Sequence, residues 1–365
     1  MRILHVINSL ATGGAERLLA DLLPRLATRG LECAVLALDA RGDVFSAGLA
    51  AAGIEVSFAR EGGASPYAPA RLADVRKAIR RRAPDVVHAH LAPSFHWCAL
   101  AGLSVRGTAF VATEHAVANR RMASPILRPF ERWCHGCYDR IACVSPEAAS
   151  ALQGWLGIDP GRMKVIPNGV EMERLSAEAT PDAELAAWAA GKRLLAMTAR
   201  LVPAKDYATA LAALALLPEE YVMAFAGEGP LRTALEAEAK RLGVSGRCRF
   251  LGSRSDIPSV LGCAEAYLQT SREEGFGIAC LEAMAAGLPV AASEAGGLGP
   301  LVRGAGALFP VGDAAACAAA ARRVCEDGRF RSAAIESGRA RAAAHSMDTT
   351  AAAYAALYAE LRGAR

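Results

Sequence analysis

No stretch of the 365-residue chain reaches the roughly 18 consecutive apolar residues that a membrane-spanning helix needs. The most apolar run, ALAALALLP (210–218), is short and ends at Pro218-Glu219-Glu220. The opening MRILHVINSL has no charged leader followed by a long apolar core and a cleavage site. It reads as a strand that begins at once, so the expected localisation is cytoplasmic. Charge of one sign is scarce too: the formal net charge is +4, too small to argue for nucleic acid. No G-x-G-x-x-G precedes a ribose-binding carboxylate about 20 residues on, which excludes an NAD-dependent dehydrogenase. Ten cysteines are present, but only Cys134-His135-Gly136-Cys137 has metal-like or redox-like spacing. A structural zinc needs a second ligand pair, and there is none, so free buried thiols are expected. Internal repeats and low-complexity tracts are also missing, alanine bias aside.

What is present is the composition of a globular protein, 53% hydrophobic and 21% charged, long enough for two domains. Residues 1–170 carry 20 Lys and Arg against 14 Asp and Glu, so the first half is the basic half. Short β-rich runs alternate with helical stretches. In the first half the strand candidates are 2–7, 32–38, 54–59, 85–90, 109–115, 140–145 and 164–170. In the second they are 193–200, 221–229, 247–252, 264–270 and 288–293. Such alternation implies parallel sheets covered on both faces, here two doubly wound α/β domains facing each other. The boundaries expected are 1–170 for the first domain, a linker at 171–190, a second domain at 191–344, and a C-terminal helix at 345–365. That helix presents Tyr354, Leu357, Tyr358 and Leu361 along one face.

In open parallel sheets, ligands bind beyond the carboxyl ends of the strands. Three clusters fall there. ATGGAER (11–17) follows the first strand and opens a helix; it is either a tight turn or an anion site at a helix N-terminus. TARLVPAKDY (198–207) brings Arg200 and Lys205 onto one loop, as a pair for a diphosphate or as two solvated cations. SREEGFGIACLEAMAAGLPVAAS (271–293) sets Glu274 and Glu282 eight positions apart around Gly275-Phe276-Gly277. A carboxylate accepts two sugar hydroxyls at once, and the glycines let backbone N–H groups approach negative charge. One Glu on a hexose and another on a ribose would make a nucleotide-sugar site. His88 and His90 in DVVHAH are read as shaping the floor of a crevice rather than ligating metal.

These stretches carry a resemblance. With GGAER, TEH, IPNGV, ARLVPAKDY, AGEGPLR and FLGSRSDI in order along nearly the whole chain, the sequence resembles the retaining, nucleotide-sugar-dependent glycosyltransferases of family 4, with the GT-B fold. The resemblance implies two Rossmann-like domains facing a central cleft, the first for the acceptor and the second for the donor. It implies that Arg200 and Lys205 hold the donor diphosphate, that Glu274 binds the transferred sugar and that Glu282 binds the ribose. Phe276, Gly277 and Ile278 would add backbone contacts, Gly229 and Arg254 a wall around the base, and Gly14 a contact to the phosphates. His115 would orient the donor sugar, while Glu16, Arg120 and Arg121 would lie on the acceptor side. Asp206 follows Lys205 where many relatives have glycine. No Asp-x-Asp occurs in the chain, so neither a metal nor another cofactor is expected.

The implied activity is transfer of a sugar from a nucleotide-diphosphate sugar, UDP foremost, to a saccharide or lipid-linked acceptor in polysaccharide or glycolipid assembly. The basic clusters Arg76-Lys77-Arg80-Arg81-Arg82 and Arg120-Arg121-Arg128-Arg132 are solvated faces or a surface for anionic lipid, which would place the protein at the inner membrane face. Two competing readings stand beside this one: an inactive sugar-nucleotide-binding scaffold subunit, and a nucleotide-sugar 2-epimerase.

Overall fold

The apolar runs of the sequence become the strands of two parallel sheets. The computed structural model describes residues 1–11, 13–59, 65–115, 117, 121–122, 124–175 and 180–363. Two compact units result, one formed by residues 1–169 with 347–365, the other by residues 170–346.

The first unit holds β1 (Arg2–Ser9), β2 (Glu32–Asp39), β3 (Glu55–Phe58), β4 (Val86–His90), β5 (Ala109–Glu114), β6 (Arg140–Cys143) and β7 (Met163–Val165). Their order is β3-β2-β1-β4-β5-β6-β7, and every pairing is parallel. The central strands β4 and β5 are buried along their whole length, as expected of strands with helices on both faces. The first helix, Gly14–Thr28, buries Leu18, Leu19, Leu22, Leu23 and Leu26. Each such side chain removed from water contributes about 1.5–3 kcal/mol. That helix ends at Gly30, whose φ of 78° lets its N–H reach the carbonyl of Ala27 at 2.9 Å. The C-terminal helix, Met347–Gly363, packs in the same core through Tyr354, Leu357, Tyr358 and Leu361. It is pinned by Lys164 to Glu360 at 2.7 Å and by the Thr350 hydroxyl donating to the Pro167 carbonyl at 2.9 Å.

The second unit holds β8 (Arg193–Thr198), β9 (Tyr221–Ala226), β10 (Cys248–Gly252), β11 (Ala266–Gln269), β12 (Val290–Ser293) and β13 (Gly306–Phe309), in the order β10-β9-β8-β11-β12-β13. The sequence reading missed β13, because GALF is four residues long and half glycine and alanine. The stretch 171–190, read as a linker, carries the short helices Met172–Leu175 and Ala183–Trp188. Leu185 and Ala189 pack in a core with Leu194 and Val222. An apolar face of this kind ties the stretch to the second unit, so the division falls at Gly169/Val170 and again at Ser346/Met347.

Both sheets reverse their strand order at one place, between β1 and β4 in the first unit and between β8 and β11 in the second. Helices leave the sheet to opposite sides there, which opens a crevice at the carboxyl ends. Among the described residues, no helix is long and apolar enough to cross a membrane.

Candidate active site

In the second unit, the loop after β8 carries Arg200 and Lys205 and the loop after β11 carries Glu274. Both loops therefore open onto the switch between β8 and β11. The Lys205 ammonium is ion-paired with Oε2 of Glu274, and the Ser271 hydroxyl donates to the same oxygen at 3.3 Å. Arg200 is exposed, and no ion pair holds its guanidinium among the described residues. The two loops are stitched together below the charges. The Thr270 hydroxyl donates to the carbonyls of Lys205 and Asp206, each at 3.0 Å, and the Arg272 N–H donates to the Ala204 carbonyl at 2.8 Å.

Asp206 takes a backbone conformation that glycine adopts most easily. Its φ and ψ of 47° and 50° lie in the left-handed region, where glycine is at home and aspartate is tolerated. Its Oδ2 accepts from the Thr209 hydroxyl at 2.8 Å and pairs with Arg272 at 3.0 Å. The backbone turn that presents Lys205 is thus kept without glycine.

Glycines frame the Glu274 loop by letting backbone lie against backbone. Gly277, with φ of 101°, caps the helix Ile278–Ala285, and a Cβ there would come within 2.6 Å of Leu298 Cδ2. Gly296 approaches so closely that a Cβ would stand 2.5 Å from the Glu274 carbonyl oxygen. That carbonyl accepts from the Gly297 N–H at 2.9 Å. The Gly296-Gly297 pair was not singled out from the sequence; its position just past β12, at a strand's carboxyl end, is the signal that could have found it.

Glu282 lies one turn into the helix. Its Oε1 is held by Arg174 at 2.9 Å, a partner 108 positions away that no local pattern announces. Phe276 is buried and Ile278 half-buried beside the cap. Gly229 lies directly on the backbone of Leu201, the Leu201 carbonyl oxygen being 2.5 Å from where a Cβ would stand. Arg254, expected at the base wall, is engaged by Asp182 at 2.7 Å and by Asp256 at 2.5 Å.

In the first unit, Gly14 opens the first helix and Glu16 stands in its first turn, its carboxylate folded back over Gly13. His115 follows β5 beside His90, the ring centroids 5.8 Å apart. Burial pushes its pKa down to about 4, so the ring is neutral, and its buried Nε2 has no partner among the described residues. Arg121, expected toward the acceptor, is turned into a buried network. It pairs with Glu131 at 2.7 Å and Glu114 at 3.3 Å, with the Phe95 ring beneath it at 5.7 Å. Arg120 lies outside the described residues.

Below His115 the sheet carries His5, His88 and His90 on one face, all fully buried. His5 Nδ1 and His90 Nε2 share a hydrogen bond of 3.1 Å. His88 bonds Tyr358 through Nδ1 and Thr113 through Nε2, each at 2.7 Å. Burial pushes the pKa of His5 down to about 3 and holds those of His88 and His90 well below the usual range. The three rings lie close enough to share an ion. Both nitrogens of His88 are hydrogen-bonded and His5 is joined to His90, while His5 Nε2 and His90 Nδ1 have no partner among the described residues. The ten thiols are free, and burial pushes the pKa of Cys134 up to about 12.

Residues 12–174 match the family model Glycosyltransferase Family 4, and residues 183–341 match Glycosyl transferases group 1. A UDP-Gal:alpha-D-GlcNAc-diphosphoundecaprenol alpha-1,3-galactosyltransferase of Escherichia coli is 27% identical over 247 residues, 64% of this chain and 63% of that protein. A 2-deoxystreptamine glucosyltransferase of Streptomyces kanamyceticus is 30% identical over 245 residues, 60% of this chain and 62% of that protein. The chain thus spans less than two thirds of the length of these two curated relatives. Anabaena Alr3699/HepE, solved in complex with UDP and glucose, superposes with a TM-score of 0.86 at 23% identity, over 98% of this chain and 99% of that one. The chain belongs to glycosyltransferase family 4 and has the GT-B fold.

Proposed function

We propose that the protein transfers a sugar, with retention of configuration, from a nucleoside-diphosphate sugar to a saccharide or lipid-linked acceptor. The observation that carries this reading is the pairing of Lys205 with Glu274 at the β8/β11 switch, with Arg200 exposed on the same loop. UDP is the nucleotide proposed, supported by the UDP complexes of the Anabaena neighbour.

The chemistry follows from charge. Breaking the bond between sugar and diphosphate develops positive charge on the sugar ring and negative charge on the leaving oxygen. Arg200 offers a fork and Lys205 a point charge to that oxygen, and the helix N-terminus at Gly277 adds N–H donors. Without an Asp-x-Asp to clamp a metal, these groups carry the neutralisation. An arriving diphosphate competes for the Lys205 ammonium, and the Glu274 carboxylate released from it accepts sugar hydroxyls. Glu282 keeps the proposed ribose role while sharing its carboxylate with Arg174. The acceptor attacks on the face the diphosphate leaves, and the leaving phosphate takes its proton. In the first unit, neutral His115 is the group proposed to orient a sugar hydroxyl. Assembly of cell-surface polysaccharide or glycolipid at an anionic membrane face is the proposed setting.

The test is nucleoside diphosphate release from UDP-, GDP- and ADP-sugars, with and without a total lipid extract, for wild type and Glu274→Ala. Release that depends on one donor, is stimulated by lipid and is lost in the variant supports the reading. No release from any donor by a folded protein overturns it.

A further inference from the structure

A short segment of the first unit turns an apolar and basic surface to solvent. The turn Pro125–Leu127 runs into the helix Arg128–Gly136. Its inner face is fixed: Glu131, Cys134 and His135 are buried, and Glu131 accepts from His96 at 2.8 Å and from Arg121 at 2.7 Å. The outer face is not what a solvated helix shows. Ile126 is 88% exposed, and Leu127, Phe130 and Trp133 are 41%, 41% and 40% exposed. Among the described residues, these are four of the ten large apolar side chains left open to water, and they fall within eight positions. Phe130 and Trp133 stack on each other at 6.0 Å, so the surface is continuous. Scattered single exposures need no explanation, but a contiguous patch marks a docking face.

Its charge names the partner. The charged side chains exposed on the segment are Arg128 and Arg132; the acid of the segment, Glu131, is the residue turned inward. The other basic run, Arg76 to Arg82, is less suited, because Arg81 and Arg82 both pair with Glu55. A second copy of this chain docking by the same patch would set arginine against arginine across a two-fold axis, which is repulsive. A bilayer with anionic lipids meets both demands at once. Aromatic rings settle at the headgroup level, aliphatic side chains reach the acyl boundary, and arginines pair with phosphates.

We propose that residues 125–136 dock the protein on an anionic bilayer, with Ile126, Phe130 and Trp133 entering the interface and Arg128 and Arg132 on lipid phosphates. The proposal deepens the reading of a membrane-linked acceptor and rests on that reading for its purpose.

The experiment is co-sedimentation of the full chain with vesicles of phosphatidylcholine alone and of equimolar phosphatidylcholine and phosphatidylglycerol. Nucleoside diphosphate release is measured in the same samples. Wild type is expected on the mixed vesicles, released by high salt, and largely absent from phosphatidylcholine. Arg128→Gln and Arg132→Gln should each weaken binding about five-fold. Ile126→Ser with Trp133→Ser should abolish it, with thermal unfolding and donor turnover in vesicle-free solution unchanged, since these side chains face water. Wild type that ignores anionic vesicles, or variants that bind as well as wild type, would overturn the proposal. So would a wild-type dimer in sedimentation velocity that the serine variants dissociate. Wild type that stays off anionic vesicles while it releases nucleoside diphosphate sinks the docking surface alone; wild type that binds the vesicles without release sinks the functional reading alone.

Discussion

The Lys205 ammonium rests against Oε2 of Glu274, so the two residues proposed to hold opposite ends of one donor are themselves an ion pair. Their side chains are only about one fifth exposed, 22% and 19%. Neither charge is left bare in a crevice where desolvation would make it expensive. The same pairing makes the two residues thermodynamically dependent. Lys205→Met and Glu274→Gln should each lower kcat by about 10²–10³, the range for removing one charge-stabilising group. The double variant should fall short of the product of the single effects, and strictly multiplicative losses would show that the pair is not coupled.

Gly277 has a positive φ and a leucine where its Cβ would be. Gly277→Ala should therefore cost roughly 1–3 kcal/mol, read as a lowered urea midpoint. It should also weaken nucleotide binding in calorimetry, because the N–H groups of the cap move with it. An alanine variant as stable as wild type would contradict the described backbone.

Arg121 closes the buried network around Glu131 and Glu114. Arg121→Met should destabilise the first unit by about 3–5 kcal/mol, since it removes the guanidinium that neutralises two buried carboxylates. Burial alone would raise the Glu131 carboxyl, but His96 and Arg121 outweigh it and its pKa lies below the ordinary value. That contribution is present above the unfolded carboxyl pKa and is lost as pH falls below it. Glu131→Gln should flatten this acid limb of the stability profile.

The buried imidazoles set a second pH window. Unfolded histidines take up protons near pH 6.5, whereas His5 and His115 do so only near about 3 and about 4. Between these values the unfolded chain binds more protons. Stability is then full above about 6.5 and declines as pH falls beneath it. Urea unfolding between about pH 7.5 and 5.5 should show the decline, and a flat profile would mean that these rings are solvated.

Donor turnover should be unchanged by EDTA, because charge neutralisation is assigned to Arg200, Lys205 and a helix N-terminus. Loss of turnover on chelation, restored by a divalent cation, would remove that assignment.

Local information marked a good part of this molecule. Strands such as Val86–His90 and Ala109–Glu114 are runs of small or branched apolar residues, and burial on both faces demands such runs. The glycines and charges at their carboxyl ends, from Gly14 to Lys205 and Gly277, were legible because turns and helix starts depend on neighbours in sequence. What lay beyond reach were relationships between distant positions. Glu282 finds Arg174, Arg121 turns inward to Glu131, and Gly296 seats on Glu274 because strand order and packing bring them together. In the run Ile126 to Trp133 the sequence marks only the arginines; that its apolar side chains stay open to water is decided by the fold. Composition and periodicity sum short-range preferences, whereas ion pairs, exposure and close backbone approach depend on distances that exist only once the sheets are assembled.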